Sequence, residues 1–224
     1  MITKEALQFL EDLIANNNTE WMHANKKRYD NYKKDYHHFI ASLLAEMKPL
    51  DKTLEPLEVK NSTFRINRDI RFSKDKSPYK SNMGVWFTQN KFRKNSPGYY
   101  IHFEKGNSFI AGGVWCPEPN ELKQIRKEIS FFYEDLEAIM NDNNFKSEYG
   151  SLSRDESNTL KKAPKDFEPN HPAIEYLKLK SFTASTKIDD KLFLDKDFSK
   201  IVAQKLIALK PMNDFLFRAL ETED

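Results

Sequence analysis

The chain has 224 residues, 39% apolar, 13% aromatic and 31% charged: enough to bury a substantial core, and too rich in Phe, Tyr and Trp for a disordered chain. A formal net charge of +2 disfavours a nucleic-acid coat, which needs a broad basic surface. One cysteine excludes an intramolecular disulfide, the amino terminus carries no apolar secretory run, and no stretch approaches the roughly 18 apolar residues of a membrane span, so the expectation is a cytoplasmic protein.

Helices are predicted first, over residues 3–48. Thr3 is placed to cap a helix in which Ala6, Leu7, Leu10, Leu13 and Ile14 recur at helical spacing. The run Asn16-Asn17-Asn18-Thr19 breaks it and offers a fresh cap. One long second helix should follow, with Trp21, Tyr29, Tyr32, Tyr36, Phe39, Ile40, Leu43, Leu44 and Met47 as its stripe and Pro49 at its end.

Residues 57–116 change toward a period of two. Residues 84–88, 99–103 and 108–115 read as strands, and Glu104-Lys105-Gly106-Asn107 is a hairpin loop that makes the last two antiparallel neighbours. Residues 118–220 return to helix. Pro119 suits a first turn, and Leu122, Ile125, Ile129, Phe132, Leu136 and Ile139 mark one buried face. A polar region with short helices follows to residue 170, His171-Pro172 opens another helix, residues 179–188 form a further strand, and residues 198–220 a closing helix disturbed at Pro211. The pattern predicts one α+β domain over residues 1–224, an antiparallel sheet covered by N-terminal and C-terminal helices.

The densest chemistry lies in residues 64–82. Arg65, Arg68, Arg71, Lys74, Lys76 and Lys80 against Asp69 and Asp75 give a local +4, so the rest of the chain sums to −2. If residues 64–72 are extended, Phe64, Ile66, Ile70 and Phe72 share one face and Arg65, Asn67, Asp69 and Arg71 the other. Arg68 then falls among apolar neighbours and requires a carboxylate, a ligand or a bulge. Guanidinium forks at 65, 68 and 71 suit a phosphate or carboxylate, with Lys74, Lys76 and Lys80 as point charges and Tyr79 as a donor or stacking surface. The same residues equally suit structural ion pairs, or a loop presented to an acidic protein or nucleic acid.

His102 and Glu104 share a strand face with Tyr100 by parity, so His102, Glu104 and Tyr79 are the acid–base candidates, with a hydrogen-bonded structural histidine as the commoner arrangement. His102-Phe103-Glu104 followed by Cys116 lacks the further Cys ligands of a zinc deaminase, and His37-His38 stand about 100° apart on a helix, so no metal site is expected. Gly112-Gly113 is expected to make room for facing aromatics, and Cys116 to be a buried or half-buried thiol.

Several segments together resemble one family: Asn16-Asn17-Asn18-Thr19-Glu20-Trp21, the stretch 64–80, Pro97-Gly98-Tyr99-Tyr100, Gly112-Gly113-Val114-Trp115, Lys162-Ala163-Pro164-Lys165 and His171-Pro172-Ala173-Ile174. They are similar to a bacterial and fungal family, domain of unknown function 2461, over nearly the whole chain. Asp166 stands where that family has Gly, and Met22 where it has Phe. The resemblance implies membership without an activity, cofactor or catalytic residue to carry over. From the residues themselves, a small anionic ligand is the expected partner of the basic motif, bound by an enzyme or by a binding domain. A protein or nucleic-acid interaction module is the alternative.

Overall fold

The computed structural model describes residues 2–89 and 95–221. The fold is α+β, with a four-stranded antiparallel sheet flanked by N-terminal and C-terminal helices, and the chain divides into two compact units. One comprises Met1–Phe87, Tyr100–Ile110 and Lys187–Gln204; the other comprises Thr88–Tyr99, Ala111–Thr186 and Lys205–Asp224. Among the described residues no helix is long and apolar enough to cross a membrane.

In the first unit, α1 (Lys4–Ala15) starts where Thr3 accepts the Ala6 N–H at 3.1 Å, as its cap position predicts. Asn18 caps α2 (Thr19–Ala24) in the same way, accepting from Trp21 at 2.8 Å. The long second helix of the sequence reading is in fact two: the chain leaves helical geometry at Asn25 and resumes as α3 (Lys26–Leu50). Asn25 spends its amide on the Trp21 carbonyl at 3.0 Å, an asparagine competing with the helix for backbone partners. Pro49 lies in the last turn of α3 and the helix ends one residue beyond it.

Tyr32, Tyr36, Phe39, Ile40, Leu43, Leu44 and Met47 form the buried stripe of α3. Phe39 meets Phe103 edge-on at 5.2 Å and stacks with Phe198 at 5.3 Å, while Phe9 of α1 packs on Tyr32 at 5.1 Å. These aromatic contacts are the centre of this unit's core.

The strands are β1 (Met83–Thr88), β2 (Gly98–Phe103), β3 (Phe109–Val114) and β4 (Phe182–Lys187), paired in the order β1-β2-β3-β4. All four fall on the segments that the sequence predicts as strands. The β2–β3 connection closes with the Asn107 N–H on the Glu104 carbonyl at 2.8 Å, and Gly106 takes φ +77, the left-handed geometry such a turn requires. Along β2, Tyr99, Ile101 and Phe103 are buried while Tyr100 and His102 are half-exposed on the opposite face.

The second unit packs α4 (Pro119–Phe131), α5 (Tyr133–Asn141), α6 (Asn143–Tyr149), the short α7 (Ile174–Leu177) and α9 (Lys210–Glu221). α8 (Phe198–Ile207) precedes α9. The predicted face of residues 122–139 is interrupted at Phe132, which is non-helical and 46% exposed, so Ile125 and Ile129 are buried on α4 and Leu136 on α5. The closing helix breaks before Pro211. Ala208 and Leu209 separate α8 from α9, and Pro211 sits in the first turn of α9, where its missing N–H costs nothing. Buried Glu128 accepts the Arg218 Nε–H at 2.5 Å, tying α4 to α9.

Two expectations are corrected here. Gly112-Gly113 makes room for backbone, not for aromatic rings: a Cβ on Gly113, at φ +107, would lie 2.0 Å from the Phe182 carbonyl oxygen, and one on Gly112 would lie 2.9 Å from that of Gly98. Cys116 is exposed, not buried, and holds φ +48 while its N–H donates to Ser181 Oγ at 2.9 Å.

Candidate functional site

Residues 64–72 are not a strand. The chain runs beside β1 only as far as Thr63, which bridges Val85, with Trp86 N–H donating to the Ser62 carbonyl at 3.2 Å. It then folds on itself. Lys80 N–H donates to the Ile66 carbonyl at 2.8 Å and Arg68 N–H to the Pro78 carbonyl at 2.9 Å, closing the neck of a loop. The sheet-face reading therefore fails, because three of the four residues it assigned to an apolar face are outside: Phe64 is 43%, Ile70 37% and Phe72 95% exposed, and only Ile66 is half-buried.

Short-range charge and hydrogen bonding brace this loop. Arg68 pairs with Asp75, whose carboxylate also accepts the Ser77 N–H at 2.9 Å. That N–H, and behind it the Arg68 guanidinium, hold Asp75 below the usual carboxylate range. Arg71 forks onto Asp69 at 3.0 and 2.7 Å and lowers its pKa in turn. Lys76 donates to the Ile70 carbonyl at 2.9 Å. Arg68 Nε is buried without an acceptor.

The neck is docked by Asn17, whose amide donates to the Tyr79 carbonyl at 2.9 Å and accepts the Tyr79 N–H at 3.0 Å, as a neighbouring strand would. Tyr79 is 7% exposed, so its ring is part of the core and not a stacking surface for a ligand.

Within the motif three cations have no side-chain hydrogen bond or ion pair among the described residues: Arg65 and Lys74, both exposed, and Lys80. Lys80 is half-buried, with Nζ 5.4 Å from the centre of the Phe64 ring. Burial lowers its pKa first, and the charges of Arg65 and Arg68 lower it further. Arg65, Arg68 and Lys80 therefore share one positive field, offset by Asp75.

The outer face of β2 carries a hydrogen-bonded chain. Tyr100 Oη lies 2.9 Å and Asn82 Nδ2 3.2 Å from His102 Nδ1, while His102 Nε2 faces Glu104 Oε2 at 3.5 Å. The Asn82 amide nitrogen can only donate, so the neutral ring accepts at Nδ1, where the Tyr100 hydroxyl can donate as well, and carries its proton on Nε2, toward the carboxylate. His102 stacks on Phe109 at 4.8 Å, which fixes the ring plane. Phe64 meets Tyr100 edge-on at 6.3 Å, and a side chain on Gly84 would press on both.

Glu104 also lines a cavity of about 120 Å³, together with Leu7, Leu10, Phe103, Lys105 and Phe193. His171, in the second unit, is engaged at both nitrogens, with Ser130 Oγ 3.0 Å from Nε2 and the Ala173 N–H donating to Nδ1 at 3.0 Å. Among the described residues no three His, Cys, Asp or Glu side chains gather as metal ligands.

The structure thus brings His102 and Glu104 together, leaves Lys80 within the field of Arg65 and Arg68, and pairs Arg71 and Lys76 with Asp69 and the Ile70 carbonyl of the same loop. The sequence reading overlooked Asn82 and Asn17: Asn82 is visible within the motif, but Asn17 acts through a contact 62 residues away. No curated protein and no solved structure matches the chain. The family model described as conserved hypothetical protein, domain of unknown function 2461, matches residues 5–215, and the chain belongs to that family.

Proposed function

We propose that the protein binds a small anionic ligand, phosphate- or carboxylate-bearing, at Arg65, Arg68 and Lys80, in a cytoplasmic setting that its single cysteine suits. The observation that carries this reading is Lys80: a half-buried amine whose charged form is disfavoured by burial and by two guanidinium groups, with Asp75 as the offsetting carboxylate. An anion placed there relieves all three cations at once. Arg71, Lys74 and Lys76 act on the loop, the first and last by bracing it.

A second reading rests on Phe72. An aromatic ring 95% exposed on an internally braced loop, with Arg71 and Lys74 beside it, is a preorganised anchor for an acidic protein or nucleic acid.

One thermal-unfolding panel separates the two. Phosphate, citrate and a polyglutamate chain are titrated against wild type, Lys80→Gln and Phe72→Ser. A small-anion site predicts that phosphate or citrate raises Tm with concentration in wild type and Phe72→Ser but not in Lys80→Gln. Equal shifts in wild type and Lys80→Gln end the first reading. Shifts from polyglutamate alone, lost in Phe72→Ser, replace it with the second.

A further inference from the structure

Tyr100, His102 and Glu104 stand in the relation of a nucleophile, a base and an orienting carboxylate. The phenol is 2.9 Å from Nδ1, and the opposite ring nitrogen faces Glu104 at 3.5 Å. Phe109 stacks on the imidazole at 4.8 Å with planes 16° apart, which favours this ring orientation. Burial and the Glu104 charge raise the Tyr100 pKa, so the phenol is neutral at rest and reacts only as its proton passes to His102. Nδ1 has one lone pair and two suitors, Tyr100 and Asn82 at 3.2 Å. Once Nδ1 takes the phenol proton, the Asn82 amide loses its acceptor and is free to donate to a developing oxyanion.

We infer that this triad is an acyl-transfer site whose catalytic residue is Tyr100. The Tyr100 Oη–acyl carbon bond forms, the bond to the leaving group breaks, and Nδ1 hands the phenol proton to that group. Water then attacks the acyl-tyrosine, gives its proton to Nδ1, and Tyr100 recovers it. A phenolate leaves more readily than an alkoxide, so an alkyl ester would simply re-form; the substrate class is an aryl ester or thioester. Phe64, which touches both Lys80 and Tyr100, puts the anion site beside the triad, so the acyl compound is expected to be anionic, a clause that rests on the reading proposed above.

Sulfonyl fluorides test this on the full chain, because Tyr100 Oη can form a bond to sulfur with loss of fluoride while Nδ1 takes the proton. The neutral phenylmethanesulfonyl fluoride and the anionic 4-(fluorosulfonyl)benzoate are compared by peptide mass spectrometry, with half-exposed Tyr133 as internal reference. The triad predicts faster modification of Tyr100 than of Tyr133 by the neutral reagent, slowed at least about tenfold in His102→Gln. Glu104→Gln, altered at a half-exposed side chain, carries the same comparison should His102→Gln fail to fold. Equal rates at Tyr100 and Tyr133, or a Tyr100 rate unchanged in both variants, overturn the triad. A preference for the anionic reagent that disappears in Lys80→Gln supports the anion site as well. Modification of Tyr100 without that preference leaves the triad standing and removes its anionic substrate.

Discussion

Tyr36 shows how one hydroxyl can hold a segment that has no strand to hold it. Its buried phenol donates to the Gly84 carbonyl and accepts the Phe64 N–H at 3.2 Å, joining α3 to β1 and to the entry of the basic loop. Tyr36→Phe leaves both backbone groups unpaired and is expected to cost about 1–3 kcal/mol in denaturant unfolding. The same phenol makes stability depend on alkali. Burial pushes its pKa from 10.0 up to about 12, so between those values the unfolded chain has lost a proton that the folded one keeps. Rising pH therefore favours unfolding by about 1.4 kcal/mol per unit in that window, and below pH 10 the contribution is fully present. Unfolding midpoints measured from pH 9 to 12 should fall less steeply in Tyr36→Phe. An unchanged slope would show that other buried phenols carry the whole effect.

Among the elements, Asn17 performs the work of a missing strand. Asn17→Ala removes both hydrogen bonds to the Tyr79 peptide, and the expected result is about 1–3 kcal/mol of lost stability with faster hydrogen exchange at the Tyr79 amide. Exchange as slow as in wild type would show that Ile66 and Lys80 close the neck unaided. This contact also marks where sequence reasoning stops. The strands were legible because alternation in 99–103 separates Tyr99, Ile101 and Phe103 from Tyr100 and His102, and that parity is what placed His102 beside Glu104. Residues 64–72 show a similar alternation for a different reason: Arg68–Asp75 and Arg71–Asp69 close a loop, and pairing of that kind leaves no periodic trace. The breaks at Asn25 and Phe132 were equally silent, since the apolar stripe continues across both. Gly113 declared itself as a glycine, but the Phe182 carbonyl that demands it lies 69 residues away in sequence.

At the scale of the whole molecule, each compact unit has a core of its own. α9 is an essential wall of the second one, burying Met212, Phe215, Leu216, Ala219 and Leu220, and the last three lie beyond residue 215, where the family match ends. A chain ending at Phe215 is expected to lose about 3–6 kcal/mol from the two leucines alone, most of a typical domain's stability, and to show a lowered or absent thermal transition. An unchanged Tm would mean that α4 and α5 need only the first half of α9. The exposed thiol of Cys116 has a consequence for how these molecules can join. With one sulfhydryl per chain, each molecule is monovalent toward oxidation, so a disulfide can couple two copies, and the product then has no thiol left with which to extend.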